Sequence, residues 1–131
     1  MLSWTRVPHP KGASFSSAVI VEAGDARWIY VSGQTLRDEP GRPVPDDVGE
    51  QTDLCFRKIE AILGECGATM ADVTQITVYL TDLSDYASVA EARARAFGKE
   101  LPSSAAVGVS TLLGDSVVEI SAVAVVARAP D

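Results

Sequence analysis

Two short apolar segments begin the regular hydrophobic pattern of the chain. They are Ala18–Val21 and Trp28–Ser32, and the interval between them contains Gly24 and Asp25, which favour a turn. Two strands joined by such an interval predict a β-hairpin. Residues 1–12 show no comparable pattern, and we expect them to form an irregular lead-in.

A helix is predicted from Val48 to Gly67, after a polar loop at Thr35–Asp47. Apolar residues in this segment recur every three or four positions, which places them on one helical face. They are Cys55, Ile59, Ile62, Leu63 and Cys66. Negative charge at Asp46 and Asp47 suits the start of a helix, and Gly67 suits the left-handed backbone that follows its end.

The second half of the chain predicts three strands and one further helix. Val73–Leu80 is rich in β-branched residues, and Ser104–Val109 and Val117–Val126 are the other two strand segments. The helix is predicted to start at Ser84 or Asp85. Its expected apolar stripe consists of Tyr86, Val89, Ala90, Ala94 and Phe97. The resulting order is β-β-α-β-α-β-β.

This order predicts an α+β fold, in which a mixed sheet carries two helices on one face. Two helices leave the other face bare, yet the last strand is apolar on both of its faces. One face holds Val117, Val123 and Val125, and the other holds Val118, Ile120, Ala122 and Ala124. Other subunits normally bury apolar surface of this kind. We therefore expect a homo-oligomer with functional sites at the seams between subunits.

Length and charge narrow the classes of function. The 131 residues match the usual size of one domain, so we expect a single domain over 1–131. A formal net charge of −7 without a cluster of Lys and Arg argues against a nucleic-acid partner. No apolar run reaches the ~20 residues that cross a bilayer, and the first residues lack a signal-peptide pattern. We expect a cytoplasmic protein with no membrane partner.

Metal and disulfide chemistry have few candidate residues. Cys55 and Cys66 lie on one predicted helix, about 16 Å apart along its axis, which is too far for a disulfide. Both are expected to be core thiols. The single histidine, His9, lies in the predicted lead-in. Neither a histidine-based metal site nor a Ser/His/Asp triad is favoured.

A few polar residues are not explained by the fold pattern. Glu119 interrupts an apolar strand, where an unpaired carboxylate is costly. It either acts as a general acid or base, orients a water molecule, or pairs with a backbone N–H or an arginine. Ser32 and Gly33 form either a plain turn or a place where a ligand approaches the backbone. Ser104 is either an ordinary strand residue or a hydroxyl that binds a carboxylate.

Four sequence blocks form a joint pattern along the chain. They are Ile29–Gln34, Asp47–Gln51, Thr77–Tyr86 and Val118–Ala124. In this order and at this spacing they resemble the Rid family, the reactive intermediate deaminases, also called YjgF-type or L-PSP proteins. The resemblance runs from about residue 15 to residue 126. Each block alone is weakly specific, and the combination carries the resemblance.

The resemblance implies a chorismate-mutase-like α+β fold and a homotrimer, with a central barrel and ligand clefts between subunits. Typical members hydrolyse enamines and imines such as 2-aminoacrylate to 2-keto acids and ammonia. They use neither a metal nor an organic cofactor, so none is expected here. The expected partners are a small-molecule substrate and further copies of the chain.

The resemblance also assigns site residues. Glu119 matches the carboxylate that positions the attacking water, and Ser32 and Gly33 match the turn that lines the family's cleft. Aromatic wall positions match Tyr86 and, across a gap in the alignment, Phe15. The expected substrate-binding residues are Ser32, Gly33, Ser104, Ala105, Tyr86 and Phe15.

The clearest departure from the family lies at Pro102–Val107, which reads Pro-Ser-Ser-Ala-Ala-Val. Family deaminases usually read Pro-Ala-Arg-Ser-Cys/Ala-Val, so Ser104 occupies the position of the arginine that clamps the substrate carboxylate. The hydrogen bonds of such a pair contribute roughly 1.5–3 kcal/mol each. A serine cannot supply the missing charge.

Two interpretations remain open. In the first, the protein is a hydrolytic deaminase of a small imine or enamine other than 2-aminoacrylate. Its substrate either lacks the carboxylate or presents it to another cation of a neighbouring subunit, such as Arg6, Arg27 or Arg37. In the second, it is a small-molecule-binding or regulatory trimer without deaminase activity, or a hydrolase of a specialised pathway. An endoribonuclease role is disfavoured by the negative charge.

In the first interpretation, Glu119 holds the water molecule that attacks the substrate. Backbone N–H groups near Gly33 and Ala105 polarise the substrate, and Ser104 donates a hydrogen bond to it. Retention of Glu119 favours this interpretation, whereas the missing arginine favours the second.

Overall fold

The computed structural model describes residues 1–36 and 45–128. Six strands and two α-helices make up the fold. The strands are β1 (Leu2–Pro8), β2 (Ser16–Ala23), β3 (Ala26–Gln34), β4 (Val73–Leu80), β5 (Ser103–Gly108) and β6 (Val118–Ala127). The helices are α1 (Val48–Glu65), which precedes β4, and α2 (Tyr86–Phe97), which precedes β5. Most of the predicted polar loop and Arg37 lie outside the described residues.

The six strands form one mixed sheet in the order β1-β2-β3-β6-β4-β5. The pair β4 and β5 is parallel, and every other neighbouring pair is antiparallel. Helix α1 packs against β3 and β6, and α2 packs against α1. The prediction of an α+β fold with a mixed sheet and two helices is therefore confirmed.

The prediction of an irregular lead-in is wrong. Leu2–Pro8 is strand β1, which pairs antiparallel with β2 from Leu2 opposite Ala23 to Pro8 opposite Ser16. Six of its seven residues are exposed, because β1 is an edge strand from which only Val7 packs against the core. A strand with no buried face carries no alternation of apolar and polar residues, and this removed the usual sequence signal.

The predicted hairpin, the first helix and the strand at Val73–Leu80 are confirmed. A two-residue turn at Gly24 and Asp25 joins β2 to β3, and Gly24 has a positive φ of 56°. The carboxylate of Asp47 caps α1 by accepting a hydrogen bond from the Glu50 N–H at 2.9 Å. A capping carboxylate also interacts favourably with the helix dipole.

Helix α2 is rotated relative to its predicted apolar stripe. Val89 and Phe97 are buried as expected, but Ala92 is also buried, whereas Tyr86 and Ala94 are exposed. The ring of Phe97 packs edge-on against Phe56 of α1, with centroids 5.3 Å apart. Alanine was a poor guide to orientation because its small side chain fits both the core and the surface.

Strand β6 lies in the centre of the sheet and alternates in burial. Its core-facing residues are Val118, Ile120, Ala122 and Ala124, all buried beneath the helices. Its other face includes Glu119 and Val123 and is partly exposed in the isolated chain. One face of the sheet is thus covered by the chain itself, and the other is available to another subunit.

Candidate functional site

A cleft of about 640 Å³ opens at one end of the sheet, beside α1. Four predicted site residues line it together: Phe15, Ser32, Gly33 and Glu119. Other parts of its wall come from the β1–β2 loop, from α1 and from the turn before β6. These residues include His9, Lys11, Lys58, Ile62 and Leu113.

An irregularity in β3 shapes this cleft. Val31 pairs with Ala122 of β6, but Gln34 pairs with Ile120, so β3 contains one residue more than its partner between these points. A bulge of this kind twists a strand and redirects its side chains. The extra residue falls within Ser32-Gly33, the segment for which the sequence left open a plain turn or a place of ligand approach.

Glu119 lies directly over Gly33. A Cβ atom built on residue 33 would be only 2.5 Å from Oε2 of Glu119 and 2.9 Å from its Cδ. The absence of a side chain at Gly33 therefore makes the space that the carboxylate occupies. Glu119 is partly exposed and lines the cleft, so its carboxylate is accessible to a small molecule.

The side chain of Ser32 is fixed by the neighbouring strand. Its hydroxyl donates a 2.6 Å hydrogen bond to the carbonyl oxygen of Ser16. The side-chain amide of Gln34 donates to the carbonyl oxygen of Ser32 at 3.0 Å. Because its proton is used in this bond, the Ser32 hydroxyl can act towards the cleft only as an acceptor, through its two lone pairs.

An aromatic pair forms one wall of the cleft. Phe15 is 44% exposed and packs edge-on against the ring of His9, with centroids 5.3 Å apart. The Nδ1 of His9 accepts a hydrogen bond from the Lys11 backbone N–H at 3.1 Å. Sequence reasoning missed His9 and Lys58 as cleft residues, because folding rather than a local motif brings the β1–β2 loop and α1 to the same cleft.

Tyr86, Ser104 and Ala105 are not part of this cleft. In the sheet, Ser104 pairs with Ile76, which pairs with Ala122, and both partners are buried on the helix-covered face. Glu119 instead alternates with the buried residues of β6 and points to the opposite face. A single chain therefore does not bring Ser104 to Glu119.

Tyr86 and Ser104 are joined by Arg93 of α2, which lies outside the apolar stripe predicted for this helix. Arg93 donates from Nη1 to the Ser104 Oγ at 3.1 Å and from Nη2 to the Tyr86 hydroxyl at 2.9 Å. Its Cζ lies 5.5 Å from the centroid of the Tyr86 ring. The only sequence signal is the seven-residue spacing from Tyr86, two turns along the same side of α2.

Arg27, one of the cations considered for the substrate, has partners within its own chain. It donates to the carbonyl oxygen of Cys66 at 2.6 Å, and its Nε lies 4.0 Å from the Glu22 carboxylate. Arg6 lies on the edge strand β1.

Both cysteines are free and buried, which confirms them as core thiols. The Cys55 thiol donates to the Gln34 carbonyl oxygen at 3.4 Å, just beneath the bulge in β3. Burial raises the pKa of Cys55 to about 12, and the nearby Glu119 carboxylate acts in the same direction while Lys58 opposes it. Burial also raises the pKa of Cys66.

The described residues contain neither a metal-binding cluster nor a helix that could span a membrane. Across residues 1–36 and 45–128, no group of three or more His, Cys, Asp and Glu side chains is placed to hold a metal ion. Within the same ranges, neither helix has the length and apolar character needed to cross a membrane.

Comparison with known proteins identifies the family. The endoribonuclease L-PSP family matches residues 8–126. A RutC family protein of Pyrococcus abyssi is 40% identical over 120 residues, covering 91% of each chain. The 2-iminobutanoate/2-iminopropanoate deaminase of Rattus norvegicus is 36% identical over 126 residues, covering 95% of this chain and 88% of the relative.

A solved structure agrees with these relatives. A YjgF/YER057c/UK114 family member from Mycobacterium tuberculosis superposes with a TM-score of 0.77 at 36% identity, covering 95% of this chain and all of that one. Its family name includes YjgF, one of the names of the family that the sequence motifs resemble. The chain belongs to the endoribonuclease L-PSP family, in which the relatives include RutC and YjgF proteins and 2-iminobutanoate deaminases.

Proposed function

We propose that this protein is a cytoplasmic hydrolytic deaminase of small imines and enamines, acting at the seams of a homotrimer. The observation that carries the proposal is the carboxylate of Glu119 held over Gly33 in an open cleft. The naming of mammalian relatives as imine deaminases supports the same reaction class.

The reaction needs a base beside a small cavity. Glu119 takes a proton from a water molecule as the water oxygen attacks the imine carbon, and it then gives that proton to the nitrogen to form a neutral carbinolamine. Glu119 next takes the proton of the carbinolamine hydroxyl and passes it to the nitrogen, so that the C–N bond breaks, ammonia leaves and the carbonyl of the product forms. An enamine first takes up a proton at carbon to become the imine. A positioned base of this kind typically contributes 10²–10⁴-fold to the rate.

The remaining polar groups of the cleft assist this reaction. Ser32, with its proton committed to Ser16, accepts a hydrogen bond from the imine N–H. In this proposal the backbone N–H groups near Gly33 polarise the substrate, and Phe15 limits its shape.

Assembly completes the site in this proposal. Ser104 and Ala105 belong to β5, an edge strand whose six residues are all exposed. Tyr86 begins α2 and is connected to Ser104 through Arg93. An exposed apolar edge of this kind is suited to contact with another copy. We assign these three residues to the far wall of the cleft formed by the neighbouring subunit.

The test is a coupled assay in which amino-acid oxidases generate imines from alanine, leucine, methionine and arginine. Semicarbazide traps each imine, so an enzyme that hydrolyses the imine lowers the rate at which semicarbazone forms. We expect the wild type to lower this rate for at least one imine, and Glu119→Gln to lose most of the effect. Glu60→Gln, which removes an exposed carboxylate of α1 with the same change in charge, is the control.

Three outcomes discriminate between the interpretations. Loss of activity in Glu119→Gln but not in Glu60→Gln supports the proposal. Equal activity of Glu119→Gln and wild type would make that carboxylate structural. No activity on any imine, with the rat deaminase active in parallel, would favour the binding, regulatory or specialised-hydrolase interpretation.

A further inference from the structure

Arg93 is held in an unusual way for an arginine on the surface of a helix. Its guanidinium donates to two neutral hydroxyl groups, those of Ser104 and Tyr86, and it also lies against the Tyr86 ring. Among the described residues, no carboxylate forms a salt bridge with it. The charge is therefore oriented but not neutralised by these contacts.

The neighbouring Arg95 shows the ordinary arrangement. Its Nη2 donates to both carboxylate oxygens of Asp53, at 3.2 and 3.1 Å, which pairs its charge within the chain. The two arginines lie two positions apart on α2, but Arg93 is partly buried whereas Arg95 is exposed. The partners of the two guanidinium groups also differ.

The free donors of Arg93 define what it can bind. A guanidinium has five N–H groups in a planar fork, and the two recorded hydrogen bonds use one on each terminal nitrogen. Three N–H groups and the full positive charge remain. A planar fork of this kind matches a carboxylate, which it binds through charge-assisted hydrogen bonds.

The position of Arg93 connects it with the proposed site. It reaches Ser104 and Tyr86, two residues of the far wall of the cleft. Serine at position 104 leaves room for the guanidinium and accepts a hydrogen bond from it, whereas a large side chain there would fill the same space. A positive charge is thus present beside position 104, on helix α2 rather than on strand β5.

We propose that Arg93, on helix α2, is the residue of this protein that binds the substrate carboxylate, in place of the arginine that strand β5 lacks. The inference rests on the proposed function for the identity of the reaction, but carboxylate binding by Arg93 is separable from catalysis. Ser104 and Tyr86 act as positioning residues that hold the guanidinium towards the cleft of the neighbouring subunit.

The first experiment measures binding of 2-oxobutanoate, the 2-keto acid that hydrolysis of 2-iminobutanoate releases, by isothermal titration calorimetry. Its methyl ester has the same carbon skeleton without the charge and serves as the matched ligand. We expect Arg93→Gln to weaken binding of the acid at least tenfold and to leave binding of the ester within twofold. Arg95→Gln, which removes the same charge two residues away, should leave both unchanged.

A second variant distinguishes loss of the positive charge from a general loss of structure as the cause of weaker binding. In the double variant Arg93→Gln/Ser104→Arg the positive charge moves from the helix to the strand, and we expect binding of the acid to recover at least partly. Light scattering and thermal melting show whether each variant retains the assembly of the wild type. Should Arg93→Gln fail to assemble, Arg93→Lys keeps the charge but loses the fork, and an intermediate loss of acid binding is expected.

The outcomes separate this inference from the proposed function. If the wild type hydrolyses imines and Arg93→Gln leaves both the KM and the acid affinity unchanged, the inference is overturned while the function stands. If the wild type binds the acid through Arg93 but hydrolyses no imine, the inference stands and the function fails. If the wild type binds the acid no better than the ester, Arg93 is not a carboxylate site.

Discussion

The carboxylate of Glu119 occupies the space that a side chain at position 33 would need. A Cβ on Gly33 would lie 2.5 Å from Oε2 of Glu119, well inside any normal contact distance. Residue 33 belongs to the bulge of β3, and residue 119 to the adjoining strand β6. A backbone irregularity in one strand therefore sets the position of a charged group in its neighbour.

Substituting Gly33 should move that carboxylate without unfolding the protein. Gly33 has no positive φ, so Gly33→Ala introduces no backbone strain, and the atom it meets is the end of a flexible side chain. We expect a loss of at least about tenfold in kcat, because small misplacements of a catalytic group are costly, with little change in melting temperature. The semicarbazide assay measures the first quantity and calorimetry the second.

Gly64→Ala is the matched control for this substitution. Gly64 lies within α1, and a Cβ there would meet no atom within 4 Å. We expect unchanged kcat and a gain of about 0.5–1 kcal/mol in the free energy of unfolding, the usual advantage of alanine over glycine in a helix. Equal activities of the two alanine variants would show that the position of the Glu119 carboxylate does not limit the reaction.

The buried thiol of Cys55 should make stability depend on alkaline pH. Burial raises its pKa from an ordinary value of 9.0 to about 12, so the unfolded chain releases this proton at a lower pH than the folded chain. The contribution of the thiol to stability is complete below pH 9.0 and is lost as the pH rises towards 12. The maximal slope is about 1.4 kcal/mol per pH unit.

Urea unfolding at pH 8 and pH 10, at one protein concentration, measures this dependence. We expect the free energy of unfolding to fall by roughly 1 kcal/mol more in the wild type than in Cys55→Ala, because only the wild type carries the thiol. Identical decreases in the two proteins would show that Cys55 ionises equally easily in both states.

The elements predicted correctly are those with a strong local signal. Helix α1 has both a periodic apolar face and a capping carboxylate at Asp47, and β4 is a run of β-branched residues with one buried face. Strand β1 had neither signal, because an edge strand exposed on both faces needs no apolar alternation. Its pairing with β2 is a tertiary contact that local pattern does not encode.

The Glu119 cleft and the Arg93 cluster also differ in whether the sequence carries a local signal for them. Glu119 was recognisable because a carboxylate within an apolar strand conflicts with its surroundings. Arg93 was not, since an arginine on a helix ordinarily faces solvent, as Arg95 partly does. The partners that distinguish Arg93 lie seven and eleven residues away and reach it only after the chain has folded.

Removing the N-terminal cap of α1 should destabilise the wall of the cleft that this helix forms. The Asp47 carboxylate accepts the Glu50 N–H at 2.9 Å, so Asp47→Ala leaves that donor without its partner. We expect the free energy of unfolding to fall by about 1 kcal/mol. Asp46→Ala makes the same change in charge one residue earlier, outside the cap, and should cost less than half as much in urea unfolding. Equal losses would attribute the effect to charge rather than to the cap.

A charge on the exposed edge of the sheet should test the proposed assembly. Val107 is 40% exposed in the isolated chain and belongs to β5, where another copy is expected to cover it. An unpaired carboxylate buried at a subunit seam is costly, so Val107→Asp should dissociate the trimer and abolish deaminase activity together. Light scattering measures the mass, and Ala71→Asp, which adds a carboxylate in the exposed turn before β4, is the control.

A Val107→Asp protein that keeps the mass of the wild type would place the seam elsewhere. A monomer that keeps full activity would show that the cleft lined by Glu119 is sufficient without the neighbouring β5.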